Sequence, residues 1–378
     1  MLPILFIRPA QSKARTFFAI AMRSLAGLAI ATTLSACSTV GYYAQALGGH
    51  VDLWRKQIAI DSLLSQPGLS AETREKLVLV QHARQFAFDR LGLPDNGSYR
   101  KYVELDRPSV VWNVFVAPPL ALTANASCFP LLGCVVYRGY FQREAAERYA
   151  AQQRALGNDV FVGGVAAYST LGWFADPVLS TFVHWSDSRL IDILFHELSH
   201  QLLYIADDSA FNEGFAMAVA QHGLSVWRGL NGPIAGDTPE YERRERQLMA
   251  LVLGARNELA AVYDVDSSRA DLLARKAEVF AVLQTRYIDL KNAWGGYSGF
   301  DKWIAEDWNN ARMLSIATYH HLVPAFSAVL KAYAGNLPGA YERISAISEL
   351  EPPLREQCLA QYLAPQKNHM CDGLDAVP

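Results

Sequence analysis

The sequence predicts an α+β fold with a small sheet early in the chain and a predominantly helical C-terminal half. Hydrophobic residues make up 51% of the 378 residues and charged residues 19%, which is enough apolar material for a substantial core. Short β-branched and aromatic runs lie between residues 109 and 168, and long segments with helical spacing follow residue 188. We therefore expect one folded unit over 37–378, mixed over 37–187 and mostly helical over 188–378.

The first half of the chain is expected to alternate helices with short strands. Ser70 with Glu72 is typical of a helix start, and Gly92 followed by Pro94 is typical of a helix end. A β-branched and aromatic run that stops at two prolines predicts a strand. The predicted elements are a leading helix that runs through Leu53 into Ile60, a helix over 70–91, strands over 109–117 and 135–137, a helix over 144–156 and a strand over 160–168.

Helices are expected to fill the second half. The helix over 240–263 carries an apolar stripe at the 3.6-residue period, and we expect it to form an antiparallel pair with the helix over 268–290. The stripe consists of Leu248, Leu251, Val252, Ala255, Leu259 and Val262. The other predicted helices cover 190–205, 213–226 and 309–334.

The charge pattern excludes one class of partner. The formal net charge is −3, and the chain has no long run of lysine or arginine. A protein that binds nucleic acid presents a cationic footprint. We therefore exclude nucleic acid as a partner.

Residues 1–36 have the organisation of an export signal. Arg23 precedes an apolar run over 25–34, which is too short to span a bilayer. The run ends in Leu34-Ser35-Ala36-Cys37, which resembles the lipobox of bacterial lipoproteins. This resemblance implies cleavage before Cys37 and attachment of lipid to that residue. A plain secretory leader with an incidental cysteine is the alternative.

Three nearby residues refine this interpretation. Met22 and Arg23 alone would supply a start and a charged segment, so we expect translation to begin at Met22. Ser38, rather than aspartate, follows Cys37 and resembles the rule that sorts lipoproteins to the outer membrane. The expected location is the outer membrane, facing the periplasm, with the lipid as the membrane contact.

The other four cysteines predict two disulfides. They form two pairs that are close in sequence, and the oxidising periplasm permits disulfides. We predict Cys128–Cys134 and Cys358–Cys371, although four cysteines allow three pairings. A zinc cluster of cysteines is the alternative, but neither pair has the short spacing of a zinc knuckle.

A metal-binding pattern lies in the segment 191–205. It contains His196-Glu197-x-x-His200, and residues four apart on a helix lie one above the other, so both imidazoles can face one ion. Glu197 is turned aside and can act as the catalytic base toward a water molecule. Apolar neighbours indicate a buried helix, in which these side chains need a compensating cation. The assignment of roles rests on recognition of the motif together with this geometry.

A catalytic zinc usually has three protein ligands, so a third is expected downstream. Glu213 is the best candidate, because Asn212-Glu213 resembles the helix of the thermolysin-like peptidases that use two histidines and one glutamate. Twelve residues separate His200 from Glu213, fewer than in thermolysin, so the connection must be a tight turn. The alternative ligands are Asp207, Asp208 and His222, and support of a histidine N–H is the favoured role for the two aspartates. Imidazole-rich ligation favours Zn²⁺ over manganese or cobalt.

The resemblance extends beyond this motif to nearly all of the chain after Cys37. Together, these segments resemble the family of predicted bacterial aminopeptidase lipoproteins. That family implies a zincin-like metallopeptidase fold and a zinc-dependent, exported aminopeptidase. The segments that carry the resemblance are Cys37, Tyr42-Tyr43, 48–53, 128–130, 137–141, 168–174, 196–201 and 211–216.

Further residues are candidates for substrate contacts. We expect Tyr319 to stabilise the developing oxyanion, and at most one of His320 and His321 to reach the site. The strand over 160–168 is the candidate for binding the substrate backbone, because glycines permit close approach of another chain. The predicted contacts there are Gly163, Gly164, Tyr168 and Ser169, and the candidates for binding a substrate ammonium are Asp176 and Asp187.

The sequence thus favours a zinc aminopeptidase that acts on periplasmic peptides, with peptide as its partner. A zinc endopeptidase or a cell-wall peptide hydrolase with the same site is one alternative. A lipoprotein scaffold that binds zinc without catalysis is the other, and it predicts a site closed by four protein ligands. The sequence does not predict the preferred residue at the cleavage site or the oligomeric state.

Overall fold

The computed structural model describes residues 41–129, 133–234, 239–333, 335–363 and residue 371. Cys37 and the predicted export signal lie outside the described residues. The chain divides into two compact units, Met1–Trp54 and Arg55–Pro378. The described residues of the first unit are all helical and form most of helix α1, residues 41–56.

The strands lie in the first half of the chain, as predicted. They form one sheet with the order β1-β2-β8, a second with the order β6-β3-β7, and a two-stranded hairpin of β4 and β5. The strands are β1 (Ile58–Ala59), β2 (Lys101–Val103), β3 (Val111–Ala117), β4 (Ser127–Phe129), β5 (Gly133–Val135), β6 (Tyr137–Tyr140), β7 (Asp159–Val165) and β8 (Val178–Leu179).

Helices dominate the rest of the structure, and 62% of the protein is helical, which confirms the predicted α+β class with a helical C-terminal half. The helices after α1 are α2 (Ile60–Leu64), α3 (Ala71–Leu91), α4 (Arg143–Ala155), α5 (Ser180–Val183), α6 (Asp187–Leu202), α7 (Ser209–Asn231), α8 (Pro239–Tyr263), α9 (Arg269–Ala293), α10 (Asp301–Ile304), α11 (Asn310–His320), α12 (Val323–Ala332), α13 (Leu337–Ser348) and α14 (Pro352–Gln361).

The sheet β6-β3-β7 is antiparallel and has β3 at its centre. Its central strand is buried from Asn113 to Ala117, which explains its nearly continuous apolar sequence. β7 is an edge strand of this sheet. Helix α11 packs against both β3 and β7 and so connects the sheet to the helical half.

Helices α6 and α7 pack against each other, and α3 packs against both of them. Gly223 of α7 makes this approach possible. A Cβ at that position would lie 2.5 Å from Leu91 Cδ1 and 2.8 Å from Phe195 Cδ2. Because neither distance is allowed, only glycine lets α7 reach the buried faces of α3 and α6.

The predicted helix over 309–334 is wrong as a single element. The structure divides it into α11 and α12, with a break at His321 and Leu322. Pro324 explains the break, because it lacks an N–H and its ring clashes with the carbonyl one turn earlier. By length and composition, Asn310–Ala332 is apolar enough to cross a membrane, but 56% of its most apolar window is buried in the protein. Packing therefore accounts for its hydropathy.

The predicted pairing of α8 and α9 is confirmed. The two helices pack against each other, and residues of the predicted stripe are buried in a shared apolar cluster with Leu283 and Tyr287 of α9. Leu248, Val252, Ala255 and Leu259 are fully buried in this cluster, and Leu251 and Val262 are partly buried against it.

Both predicted disulfides are present. Cys128 and Cys134 are paired residues of the β4–β5 hairpin and are joined across it. Cys358 of α14 is joined to Cys371. The interpretation of the four cysteines as two disulfides is therefore confirmed.

Candidate metal centre

Three buried side chains from α6 and α7 bring their metal-binding atoms together. His196 and His200 lie one turn apart on α6, and their Nε2 atoms are 3.1 Å apart. Glu213 of α7 places Oε2 at 3.2 Å from His196 Nε2 and 3.4 Å from His200 Nε2. Each of these residues is 8% exposed. We call His196, His200 and Glu213 the metal donors.

The metal donors fit a divalent cation with tetrahedral coordination. Bonds of about 2.0–2.1 Å to zinc imply distances of about 3.3–3.4 Å between ligand atoms, close to those observed. Glu213 Oε2 is buried and, within the described part of the chain, has no hydrogen-bond partner of acceptable geometry. A buried carboxylate oxygen without a partner costs free energy, and a cation among these atoms would remove that cost. The three residues could therefore hold a metal ion.

The turn between α6 and α7 explains how Glu213 reaches the histidines. The side chain of Asn212 accepts a hydrogen bond from the N–H of Ile205 at 2.9 Å and donates one to its carbonyl at 2.7 Å. This pair of bonds folds residues 203–208 into the predicted tight turn. The prediction that Glu213 opens the second helix was wrong, because α7 begins at Ser209 and Glu213 lies in its second turn.

The two aspartates of this turn have structural roles. Asp208 caps α7 by accepting from the N–H of Phe211 at 2.9 Å, and it pairs with Arg355 at 2.5 Å. Asp207 accepts from the N–H of Cys134 at 2.6 Å and so holds the disulfide hairpin on the turn. The expectation that these aspartates support a histidine N–H was wrong, since their side chains make these other contacts. His222 lies outside the group of metal donors.

The charges of the metal donors stabilise one another. Burial alone would lower the pKa of His196, but the carboxylates around it, first of all Glu213, raise that pKa to about 9. Burial would raise the pKa of Glu213, but His200 and His196 lower it to about 2. At neutral pH the carboxylate is therefore ionised and ready to bind a cation.

Glu197 is buried beside the metal donors and is 6% exposed. Burial raises the pKa of its carboxyl. Among the neighbouring charges, His196 and His200 lower this pKa, whereas Glu213 and Asp176 raise it. A carboxylate with a raised pKa is suited to taking up and releasing a proton near neutral pH.

Tyr319 lies close to this group, on the side of Glu213. Burial raises the pKa of its hydroxyl well above 10, and the charges of Glu213 and Glu197 raise it further. Tyr319 packs against a buried cluster of Phe115, Ala117 and Ala311, and Tyr137 and Phe161 pack against the same cluster. The hydroxyl therefore stays protonated at neutral pH and can act as a hydrogen-bond donor. Burial lowers the pKa of the next residue, His320, to about 4.

The predicted backbone-binding residues lie at the edge strand β7 and just beyond it. Gly163 and Gly164 pair with Asn113 and Trp112 of β3. A Cβ on Gly164 would lie 2.3 Å from Ser109 Oγ, so the fold itself requires glycine there. Beyond the strand, Tyr168 packs edge-on against Phe141 at 5.8 Å, and Ser169 donates to Asp176 at 3.4 Å.

The two candidate ammonium-binding carboxylates have different surroundings. Asp187 forms an ion pair with Lys76 at 2.5 Å, and its side chain is 41% exposed. Asp176 is 3% exposed, and the donors to it among the described residues are all neutral: the side chain and N–H of Thr170, Gln201 and Ser169. Of these two candidates, Asp176 is the one near Glu197. The negative charge of Asp176 raises the pKa of the Glu197 carboxyl.

Sequence reasoning missed Tyr99. This residue is 2% exposed, and its hydroxyl has no hydrogen-bond partner among the described residues. Burial raises its pKa well above 10, and the nearby charges of Glu197 and Asp176 raise it further. No motif surrounds Tyr99 in the sequence, so long-range contacts alone reveal its position.

From residue 41 to residue 359, the chain matches the model of a family described as "Putative aminopeptidase". The chain belongs to this family. The match includes α6, α7, Tyr99, Asp176 and Tyr319, so it contains every residue of the site described above. No curated protein and no solved structure matches the chain. Membership of the aminopeptidase family supports peptidase activity, and it confirms the coarse resemblance drawn from the sequence.

Proposed function

We propose that this protein is a zinc-dependent aminopeptidase that hydrolyses the N-terminal bond of periplasmic peptides. The observation that carries the proposal is the convergence of the three metal donors in a buried site, with Glu197 beside them. Family membership supports the peptidase class. Two imidazole nitrogens and a carboxylate oxygen are a common donor set for catalytic zinc, in which a fourth position stays open.

Zinc is the ion that this donor set favours, because imidazole-rich ligation suits it better than it suits magnesium, calcium or manganese. When bound, zinc would polarise a scissile carbonyl and lower the pKa of water to about 7. Glu197 would take the proton from the attacking water and deliver it to the leaving amine. Tyr319 would donate a hydrogen bond to the oxygen on which negative charge develops.

We also propose a location at the outer membrane. The residues Leu34-Ser35-Ala36-Cys37 support lipidation of Cys37, and Ser38 supports sorting to the outer membrane. Mass spectrometry of the N-terminal peptide of the mature protein tests this directly. A diacylated or triacylated Cys37 is expected, and an unmodified Cys37 in membrane-free fractions would contradict it.

The catalytic proposal is tested by metal analysis of the purified protein, together with hydrolysis of unblocked dipeptides and of the same peptides acetylated at the N-terminus. One zinc per chain and cleavage of the unblocked peptides are expected. Glu197→Gln should retain the zinc and lose about 10²–10⁴-fold in kcat, because only proton transfer is removed.

Three results would contradict the proposal in different ways. Full activity of Glu197→Gln would reject this mechanism, and cleavage of acetylated peptides alone would indicate an endopeptidase. A chain that binds zinc but cleaves neither peptide set would indicate a non-catalytic metal site. Glu278→Gln is a suitable control, because this residue lies on α9, is exposed and has no part in the proposed site.

A further inference from the structure

A group of residues from three separate segments of the chain lies near Glu197. Gln201 lies four residues after Glu197 on α6, so both side chains emerge from the same face of the helix. Gln201 Nε2 donates to Asp176 Oδ2 at 3.0 Å and to Ser98 Oγ at 3.3 Å. We call Ser98, Tyr99, Asp176 and Gln201 the Asp176 cluster.

Hydrogen bonds fix Tyr99 within the Asp176 cluster. Its N–H donates to the carbonyl of Asp176 at 2.6 Å, and the N–H of Asp176 donates to Ser98 Oγ at 3.1 Å. Tyr99 has a φ of 60°, in the left-handed region that bulky residues rarely adopt. The surrounding contacts hold the aromatic side chain in this conformation despite its cost. Contacts within the Asp176 cluster therefore hold the backbone of Tyr99 beside Asp176.

Two polar groups of the Asp176 cluster have unused hydrogen-bonding capacity. The buried hydroxyl of Tyr99 has no hydrogen-bond partner among the described residues. From the residues that the structure describes, Asp176 Oδ2 accepts three hydrogen bonds, whereas Oδ1 accepts one, from Thr170 Oγ1 at 2.7 Å. A carboxylate oxygen can accept about two, so Oδ1 can accept another donor.

The negative charge of this region also lacks a cationic partner among the described residues. In the part of the chain that the structure describes, no lysine, arginine or histidine forms an ion pair with Asp176, and the carboxylate of Glu197 lies nearby. Burial raises the pKa of the Asp176 carboxyl, so its negative charge is unfavourable unless a partner compensates it. Buried carboxylates are normally paired with a cation. The occupant that this region would bind is therefore cationic and rich in hydrogen-bond donors.

We propose that Tyr99 and Asp176 bind the free α-amino group of the peptide substrate beside Glu197. An ammonium group has three N–H donors and a positive charge, so it can use the free site on Asp176 Oδ1 and a lone pair of the Tyr99 hydroxyl. This inference rests on the proposed aminopeptidase function and assigns its specificity for free N-termini to two residues.

The first test compares an aminoacyl anilide with its N-acetylated form as substrates of the metal-loaded protein. Tyr99→Phe and Asp176→Asn should each lower kcat/KM for the free-amine substrate by 10-fold or more, with less than a 3-fold change for the acetylated one. A purely structural role would lower both values together. Asp187→Asn and Tyr341→Phe are the matched controls, because Asp187 pairs with Lys76 and the Tyr341 hydroxyl bonds to the carbonyl of Leu91.

The second test measures binding without turnover. Calorimetry is carried out in a chelator, so that the metal-free protein does not hydrolyse the ligand. With leucinamide and N-acetyl-leucinamide it should show that the wild-type protein binds the free amine at least 10-fold more tightly. Asp176→Asn and Tyr99→Phe should abolish that difference. Tyr99→Phe removes a hydroxyl that has no partner, so it should fold normally and remains decisive if Asp176→Asn does not fold.

The outcomes separate this inference from the proposed function. Equal affinity of the wild-type protein for the two amides, or an unchanged preference in Tyr99→Phe and Asp176→Asn, would overturn the inference and indicate that an ordered water satisfies these groups. Loss of all hydrolysis in the wild-type protein, with the amine preference and its dependence on Asp176 intact, would overturn only the proposed function.

Discussion

Glu197 lies near the metal donors and near the Asp176 cluster, which we call its two sides, and the two sides are assembled differently. The metal donors come from consecutive helices, and only eighteen positions of the chain contain all three of them. The Asp176 cluster combines residues near 98, 176 and 201, which more than a hundred positions of the chain separate. Two consecutive helices and the turn between them bring the metal donors together. The Asp176 cluster forms only when the loops near 98 and 176 pack onto α6. The sequence therefore indicates the metal donors but does not indicate the Asp176 cluster.

The largest expected effect comes from the metal side. Glu213→Gln keeps the shape of the side chain but removes the charge and one anionic ligand, so zinc affinity should fall by at least 100-fold and kcat/KM by about 10³-fold. Equilibrium dialysis against a zinc chelator and an initial-rate assay measure the two losses. Wild-type zinc content and activity in this variant would show that Glu213 is not a ligand.

A second variant compares the two buried tyrosines near Glu197, Tyr99 and Tyr319. Tyr319→Phe removes the proposed donor to the oxyanion, so kcat should fall by about 10²–10³-fold with little change in KM. Tyr99→Phe should act mainly on the discrimination between free and acetylated substrates. The comparison fails if Tyr319→Phe instead changes KM alone, because that result would place Tyr319 in substrate binding.

The turn that creates the metal side can be tested through Asn212. Asn212→Ala removes both hydrogen bonds to Ile205 at a residue that is 3% exposed, so the free energy of unfolding should fall by about 2 kcal/mol. Asn231→Ala on the same helix is the control, because this exposed residue makes one hydrogen bond to Trp227, and it should change stability by less than about 0.5 kcal/mol. Urea unfolding of the metal-free proteins distinguishes the two, and equal losses would refute the role assigned to Asn212.

Much of the fold follows from local patterns in the sequence. The period of the apolar stripe predicted α8 and its pairing with α9, and the β-branched run predicted β3. The predicted single helix over 309–334 failed although Pro324 is a helix breaker, because the apolar period continued across it. In α3, Phe88 shares the helical period of the buried Leu77, Val80 and Leu91, yet it is 48% exposed. Periodicity alone does not reveal where a partner element ends.

The site divides in the same way. The spacing of His196, Glu197 and His200 follows from helix geometry, so the sequence could indicate their common face. The roles of Asp207 and Asp208 could not be foreseen, because they depend on Cys134 and Arg355, which are distant in the chain. Tyr99 carries no signal in the sequence, because its position depends on contacts with residues near 176 and 201.

The smallest expected effect concerns the pH dependence of the metal-free protein. The pKa of His196 is raised from 6.5 to about 9, so its contribution to stability is fully present below pH 6.5 and is lost as the pH rises through 9. The pKa of Glu213 is lowered from 4.5 to about 2, so its contribution is present above pH 4.5 and is lost as the pH falls through 2. The pair should therefore stabilise the protein most between about pH 4.5 and 6.5.

Removal of the Glu213 carboxylate should reduce the loss of unfolding free energy at alkaline pH. Both proteins are measured in the presence of a chelator at pH 6.5 and pH 9. Between these values the wild-type protein should lose about 1 kcal/mol more unfolding free energy, or still more, than Glu213→Gln loses. The reason is that the variant lacks the carboxylate that raises the pKa of His196. Urea unfolding at the two pH values gives the difference. Parallel profiles for the two proteins would show that the carboxylate does not stabilise the protonated imidazole. With saturating zinc, the wild-type protein should no longer show this alkaline loss of unfolding free energy, because the bound cation replaces the proton on His196.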